Sequence, residues 1–244
     1  MKRDSAYATL ADWFEYLNDD CGYENWSQYL IEKLKGYPVK SGLDVGCGGG
    51  YFTRAFIRAG YDATGMDISS EMLDFAQEEA LKTGVRGSYL LGDITKTKLP
   101  PRFDFVTAIN DCINYIPKEK LKNAFKNVRS GLRKNGVFLF DISSERKFRE
   151  KIANTVSVDD RDDVTYLSFN KTDGDKVTMD VSLFVKNADG KYGRLDERHI
   201  QYIYKEEEIS AALAECGFEI VLIEGHLGEE KSVSDRITFL AQKV

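Results

Sequence analysis

The densest run of glycines in the chain is Leu43-Asp44-Val45-Gly46-Cys47-Gly48-Gly49-Gly50. It follows a short apolar stretch and precedes Phe52–Ala59, whose apolar residues recur at helical spacing. A strand–turn–helix whose turn carries no side chains lets a ligand approach the backbone closely, and the helix start offers unpaired N–H groups. Asp67 closes the next strand, where a carboxylate can accept hydrogen bonds from ribose hydroxyls. Taken alone, these residues specify an adenosine-type ligand and nothing finer.

The details around the turn discriminate further. A dinucleotide fingerprint G-x-G-x-x-G begun at Gly46 would need glycine at 51, and one begun at Gly48 would need it at 53. Tyr51 and Thr53 occupy those places. Asp44 stands before the glycines, at the strand end. A carboxylate there suits a ligand with an ammonium group and no pyrophosphate, as in S-adenosylmethionine; bracing the turn is the other role a short acid takes at such a place.

Alternating elements must hold these residues. Gly42–Gly46, Asp62–Asp67, Ser88–Leu91, Phe103–Ile109 and Val137–Ile142 read as strands. Helical patterns over Phe52–Ala59, from Ser69 to Ala80 and over Lys118–Leu132 separate them, the last closed by a Lys134-Asn135-Gly136 turn. This order predicts an α/β fold, a doubly wound, Rossmann-like sheet of about seven strands. Residues 6 to 35 read as helical and rich in aromatics. After about residue 155 the period changes to two, through Val164–Asn170, Val177 to Val185 and Tyr192–Tyr204, which predicts antiparallel hairpins. A helix from Glu206 to Cys216 and strands at Phe218–Ile223 and Arg236–Leu240 close the chain. The expected organisation is an α/β domain over 1–150 and 205–244, with an inserted antiparallel β lid over 151–204. The acidic runs Asp159-Asp160 and Glu206-Glu207-Glu208 read as a solvated loop and a helix start.

The motif order resembles that of the class I S-adenosylmethionine-dependent methyltransferases. Residues 43–50 resemble their first motif and Gly65-Met66-Asp67-Ile68-Ser69 the ribose-binding segment. Gly92-Asp93-Ile94 resembles the segment whose acid faces the adenine amino group and whose next residue packs on the ring. Phe103–Ile109 and Leu132–Asp141 resemble the fourth and fifth strand motifs, and the match covers roughly residues 40 to 142. Gly49 stands where Thr or Ser is common. The resemblance implies cofactor contacts from Asp44, Gly46, Cys47, Gly48, Asp67, Ile68, Met72, Asp93, Ile94 and Asn110. Tyr7, the segment Asn110–Ile116, the insert, Asp196–His199 and Tyr204–Glu207 are also similar to bacterial small-molecule methyltransferases related to glycine N-methyltransferase and amino-sugar N,N-dimethyltransferases. That likeness implies that Tyr7 closes over the cofactor and that the insert covers an acceptor pocket.

In such chemistry the cofactor carries the electrophile and the protein supplies orientation and exclusion of water. No compact triad is expected. Asn110 and Asp111 follow the fourth strand, where open α/β sheets place ligands, though both types also favour loop caps. Tyr115 is read as a pocket wall or a packing residue. His199 is the base by type, or else a strand residue paired beside Arg198.

Composition narrows the partners. The 244 residues include 40 Asp and Glu against 34 Lys and Arg, a formal net charge of −6, which argues against nucleic acid as the default partner. Asn110-Asp111-Cys112-Ile113 also departs from the Asn/Asp-Pro-Pro-Tyr/Phe tetrad of amino-methylating DNA enzymes. Cys21, Cys47, Cys112 and Cys216 are scattered, so neither a zinc site nor a disulfide framework is expected. Without an apolar run of about 20 residues, no membrane segment is expected, and the thiols suggest the cytoplasm. The expectation is an enzyme with S-adenosylmethionine as cofactor and a small-molecule acceptor methylated at N or O, as monomer or homodimer. The competing readings are a tRNA or other nucleic-acid methyltransferase, a nucleotide-dependent oxidoreductase and a non-catalytic binding module.

Overall fold

The chain from Ser41 to Lys243 carries eleven strands: β1 Ser41–Val45, β2 Asp62–Asp67, β3 Ser88–Leu91, β4 Phe103–Ala108, β5 Leu132–Ser143, β6 Val156–Asp160, β7 Val164–Asp173, β8 Lys176–Lys186, β9 Tyr192–Tyr202, β10 Phe218–Gly225 and β11 Arg236–Lys243. The α-helices are α1 Phe14–Leu17, α2 Tyr23–Lys35, α3 Tyr51–Arg58, α4 Ser70–Lys82, α5 Leu121–Gly131, α6 Glu145–Lys147 and α7 Glu206–Glu215. The computed structural model describes residues 10–244.

Alternation along β5 sets the layering. Phe138 and Phe140 pack on one face with Leu121 and Phe125 of α5 and Leu213 of α7. Val137 and Leu139 pack on the other with Trp26 and Leu30 of α2 and Phe52 and Phe56 of α3. A strand buried on both faces belongs inside a sheet covered on both sides. The seven-stranded sheet runs β10-β11-β5-β4-β1-β2-β3. Its pairs are parallel from β3 to β5, while β11 runs antiparallel to both neighbours. The expected doubly wound α/β class is therefore the one found. β1 has β2 on one side and β4 on the other, so the order reverses there and opens a crevice at the strand ends.

β1 crosses this core at Gly42, where the Phe105 ring occupies the space of a side chain. A Cβ there would lie 2.1 Å from Phe105 Cζ. Gly42→Ala is expected to cost about 1–3 kcal/mol by overpacking, seen as a lower urea midpoint at unchanged slope. An unmoved midpoint would show that the ring swings aside without loss.

The second sheet, in the order β6-β7-β8-β9, is antiparallel throughout and lies in the chain between β5 and α7. Leu10, Trp13, Phe14 and Leu17 pack against its Val164, Tyr166 and Leu183.

Several local expectations need correction. The described part of the region read as continuously helical is broken: a 3-10 turn, Ala11–Trp13, leads into α1, and α2 starts afresh at Tyr23. The Asn18 side chain folds back onto the Phe14 carbonyl, and Gly22 turns the chain with φ 62°. Asp159 and Asp160 lie in β6, an edge strand, because Val156 and Val158 continue the period-two pattern of the sheet. Lys134-Asn135-Gly136 is a bulge inside β5: Leu132 pairs with Phe103 and Val137 with Phe105. α5 is preceded by a 3-10 turn, Lys118–Lys120, rather than starting there. α6 and the wide turn Phe148–Ile152 after it had no counterpart in the periodicity reading. Among the described residues, no helix is long and apolar enough to cross a membrane, and no three His, Cys, Asp or Glu side chains gather as a metal site would require.

Candidate functional site

The glycine-rich turn leaves β1 with Gly46 and Gly48 in left-handed backbone, φ 66° and 51°. A Cβ on Gly46 would meet Cys112 Sγ at 2.4 Å. Asp67 ties the turn to the next element: its Oδ2 accepts the Gly48 N–H at 2.8 Å and its Oδ1 the Ser69 N–H at 2.9 Å. Ser69 in turn caps α4, its hydroxyl accepting the Met72 N–H. Burial pushes the Asp67 carboxyl above its ordinary range, against the pull of those two N–H groups.

A cavity of about 490 Å³ opens above this turn, within the range of small-ligand sites. Gly46, Cys47, Gly48, Asp67, Ile68, Met72 and Asn110 all line it, and so do Tyr115 and Cys112. Three residues expected among the contacts do not. Asp44 is buried beneath the turn, its two oxygens accepting the hydroxyls of Thr53 at 2.7 Å and Thr107 at 2.8 Å. Burial raises its pKa to about 6 despite both hydroxyls. It braces the turn instead of facing the cavity. Asp93 spends its carboxylate on the Thr95 N–H and hydroxyl and on Lys96, and Ile94 is taken up in the core. Tyr7 lies outside the described residues.

A second cavity, of about 320 Å³, adjoins the first and shares Phe14, Asn110 and Tyr115 with it. Its far wall comes from the antiparallel sheet, with Asp159, Tyr166, Met179, Val181, His199 and Gln201. His199 is buried, so it has no surface role, while its neighbour Arg198 bonds Asp180. His199 Nε2 lies 3.1 Å from Glu197 Oε2, and the Tyr115 hydroxyl lies 3.1 Å from Nδ1. A carboxylate partner favours the proton on Nε2, which leaves Nδ1 to accept from Tyr115. Glu197 also accepts the Leu10 N–H at 2.7 Å. Glu197 belongs to the Asp196–His199 stretch of the sequence, and its spacing of two from His199 in a strand, which puts both on one face, is the signal for their pairing.

A charge cluster built on the buried Asp141 supports the corner between the cavities. Asn110 and Asp111 both have left-handed backbone, φ 63° and 65°. Their N–H groups donate to Asp141 at 2.9 and 3.0 Å. Arg236 donates through Nη1 to Asp111 and, at 2.7 Å, to Asp141, and through Nη2 to the Asn110 side-chain oxygen at 3.1 Å. Its guanidinium lies 4.6 Å from the Trp26 ring centre. Burial would push the Asp111 carboxyl up, but Arg236 and Lys147 hold it well below the usual carboxylate range. Asn114 fastens the same segment to both sheets, its amide accepting the Ser143 N–H and donating to the Tyr202 carbonyl.

Comparison with known proteins agrees with this geometry. A family model described as a methyltransferase domain matches residues 43–136. "Putative methyltransferase YqeM" of Bacillus subtilis (strain 168) is 31% identical over 97% of this chain and 97% of its own length. A protein of Geobacillus sp. (strain WCH70), named in the same terms, is 29% identical over 97% of this chain and 99% of its own. Among solved structures, an S-adenosylmethionine-dependent methyltransferase from Clostridium acetobutylicum ATCC 824 is 30% identical, with TM-score 0.88 over 98% of this chain and 99% of that one.

Proposed function

Since the chain belongs to the S-adenosylmethionine-dependent methyltransferases, we propose that it methylates a small molecule at nitrogen or oxygen, with the cofactor in the larger cavity and the acceptor in the smaller one. The single observation that carries this reading is the join: Tyr115 lines both cavities and bonds the buried His199–Glu197 pair.

The larger cavity fits the cofactor. Its floor at Gly46 and Gly48 is bare backbone, and a side chain at Gly46 would collide with Cys112. Asp67 would accept the ribose hydroxyls, Ile68 and Met72 would give apolar contact, and the turn at Cys47 would hold the backbone close. When bound, S-adenosylmethionine supplies a sulfonium methyl group and leaves as a neutral thioether. Asp44 acts at one remove by fixing the turn.

On the acceptor side the residues move a proton. An acceptor hydroxyl or ammonium gives its proton to the Tyr115 oxygen, the Tyr115 proton passes to His199 Nδ1, and Glu197 stabilises the imidazolium so formed. The acceptor lone pair released in this way makes the new bond to carbon. A neutral amine needs only placement and dryness for transfer, and sheds its proton afterwards by the same route. The antiparallel sheet would act as the lid that excludes water.

Methyl-labelled S-adenosylmethionine added with the protein to a metabolite extract should yield a labelled product of low mass, identified by mass spectrometry; label appearing only in RNA would overturn the reading. With that acceptor in hand, Tyr115→Phe and His199→Gln should each lower kcat about 10²- to 10⁴-fold, with little change in KM for the cofactor. Activity within threefold of wild type in both variants would remove the relay from the mechanism.

A further inference from the structure

Arg236 determines which edge of the Asn110 amide faces the larger cavity. A guanidinium has donors only, so the Asn110 atom held 3.1 Å from Nη2 is the oxygen. The amide nitrogen points the other way, 3.5 Å from the Tyr23 hydroxyl, and Asn110 and Tyr23 both line the cavity. Neither half of this lock can turn. The Asn110 backbone is held in left-handed conformation by its N–H on Asp141, and the guanidinium is clamped by Asp111, Asp141 and the Trp26 ring. The Asn110 side chain thus has its oxygen taken up by Arg236 and its amide N–H groups on the Tyr23 side, where Tyr23 also lines the cavity. The charged side chains among the cavity's described lining residues, Glu15, Asp67 and Glu71, are all carboxylates. An anionic ligand group therefore meets no lining cation and must be received by neutral donors.

We propose that Arg236 is a positioning residue that, through Asn110, makes this end of the cavity select the carboxylate of the cofactor's amino-acid tail. The inference rests on the larger cavity being the cofactor site. It is tested by calorimetric titration of two ligands, S-adenosylhomocysteine, which has the tail, and 5′-methylthioadenosine, which lacks it. Asn110→Asp tolerates left-handed backbone, still accepts from Arg236, and turns a second oxygen toward the tail. It should weaken S-adenosylhomocysteine about 30-fold or more and leave 5′-methylthioadenosine within about twofold. In Arg236→Lys the ammonium can neutralise Asp111 and Asp141 but lacks the fork that reaches Asn110. Its loss for S-adenosylhomocysteine should be about three- to tenfold, again with 5′-methylthioadenosine unaffected. Equal losses for both ligands, no loss, or tighter S-adenosylhomocysteine binding in Asn110→Asp would overturn the inference while leaving the site in place. Failure of the wild type to bind either ligand would overturn the site reading and the inference together. Should Arg236→Lys melt below the assay temperature, both variants and the wild type are titrated below its melting temperature, so that the Arg236 arm is always read.

Discussion

Asp67→Ala is expected to weaken S-adenosylmethionine binding by about 100- to 1000-fold. Two hydrogen bonds from ribose hydroxyls to a charged acceptor contribute roughly 1.5–2 kcal/mol each, and every 1.4 kcal/mol is a factor of about ten. A second loss adds to this, because Asp67 also holds the Gly48 and Ser69 N–H groups and so shapes the turn itself. Asp67→Asn separates the two effects. Its oxygen can still take one N–H, but its amide group opposes the other, so a smaller loss, about tenfold, is expected. The carboxylate is the form that accepts two ribose protons, and burial raises the Asp67 pKa. Affinity should therefore be level at neutral pH and fall as pH drops through that raised value, earlier than an ordinary aspartate would dictate. Calorimetric titrations from neutral to acid pH read both effects. Wild-type affinity in Asp67→Ala would place the ribose elsewhere.

The lining of the larger cavity was legible because its determinants are local. A glycine turn between a strand and a helix, and an acid at the next strand end, fix their own positions through chain geometry alone. Asp44 shows where that locality ends. Its place at the end of β1 was evident, yet its direction depends on β4, where Thr107 is its register partner, and on Thr53 of α3. At Asp93 the local chemistry is a turn: an Asp side chain bonds the backbone two residues on, and Thr95 donates to the carboxylate through both its N–H and its hydroxyl. His199 was visible by type but not by setting. Only the pairing of β8 with β9 and the docking of Asn114 on Tyr202 bring it under Tyr115. Arg236 gave no signal at all. It opens an antiparallel strand 125 residues beyond Asp111, and nothing in its neighbours hints at the two carboxylates it meets, one on β5 and one on the loop after β4.

That cluster should also show in stability. Arg236→Leu leaves the buried Asp141 and the half-buried Asp111 without the guanidinium that joins them, and removing one member of such a charge group costs about 3–5 kcal/mol. At about 2–4 °C per kcal/mol for a chain of this size, the melting temperature should fall by roughly 6–20 °C. The pH dependence has a definite sign. In the wild type Asp111 has a folded pKa below its unfolded value; the stability this contributes is present above the unfolded pKa and lost as pH falls through the folded one. In Arg236→Leu the same carboxyl keeps Lys147 and the Ser143 hydroxyl against its burial but loses the guanidinium, so its folded pKa moves up from the wild-type position. The deficit against wild type is then full at neutral pH and should shrink as pH falls through the variant's higher carboxyl pKa. Adding Asp111→Asn to Arg236→Leu removes one buried charge while the amide oxygen can still accept from the Ser143 hydroxyl. The double variant should therefore recover part of the loss, a non-additivity expected of groups in one network. If the Leu variant instead melted with the wild type at neutral pH, the guanidinium would add no net stability, and its contribution would lie in orienting Asn110 alone.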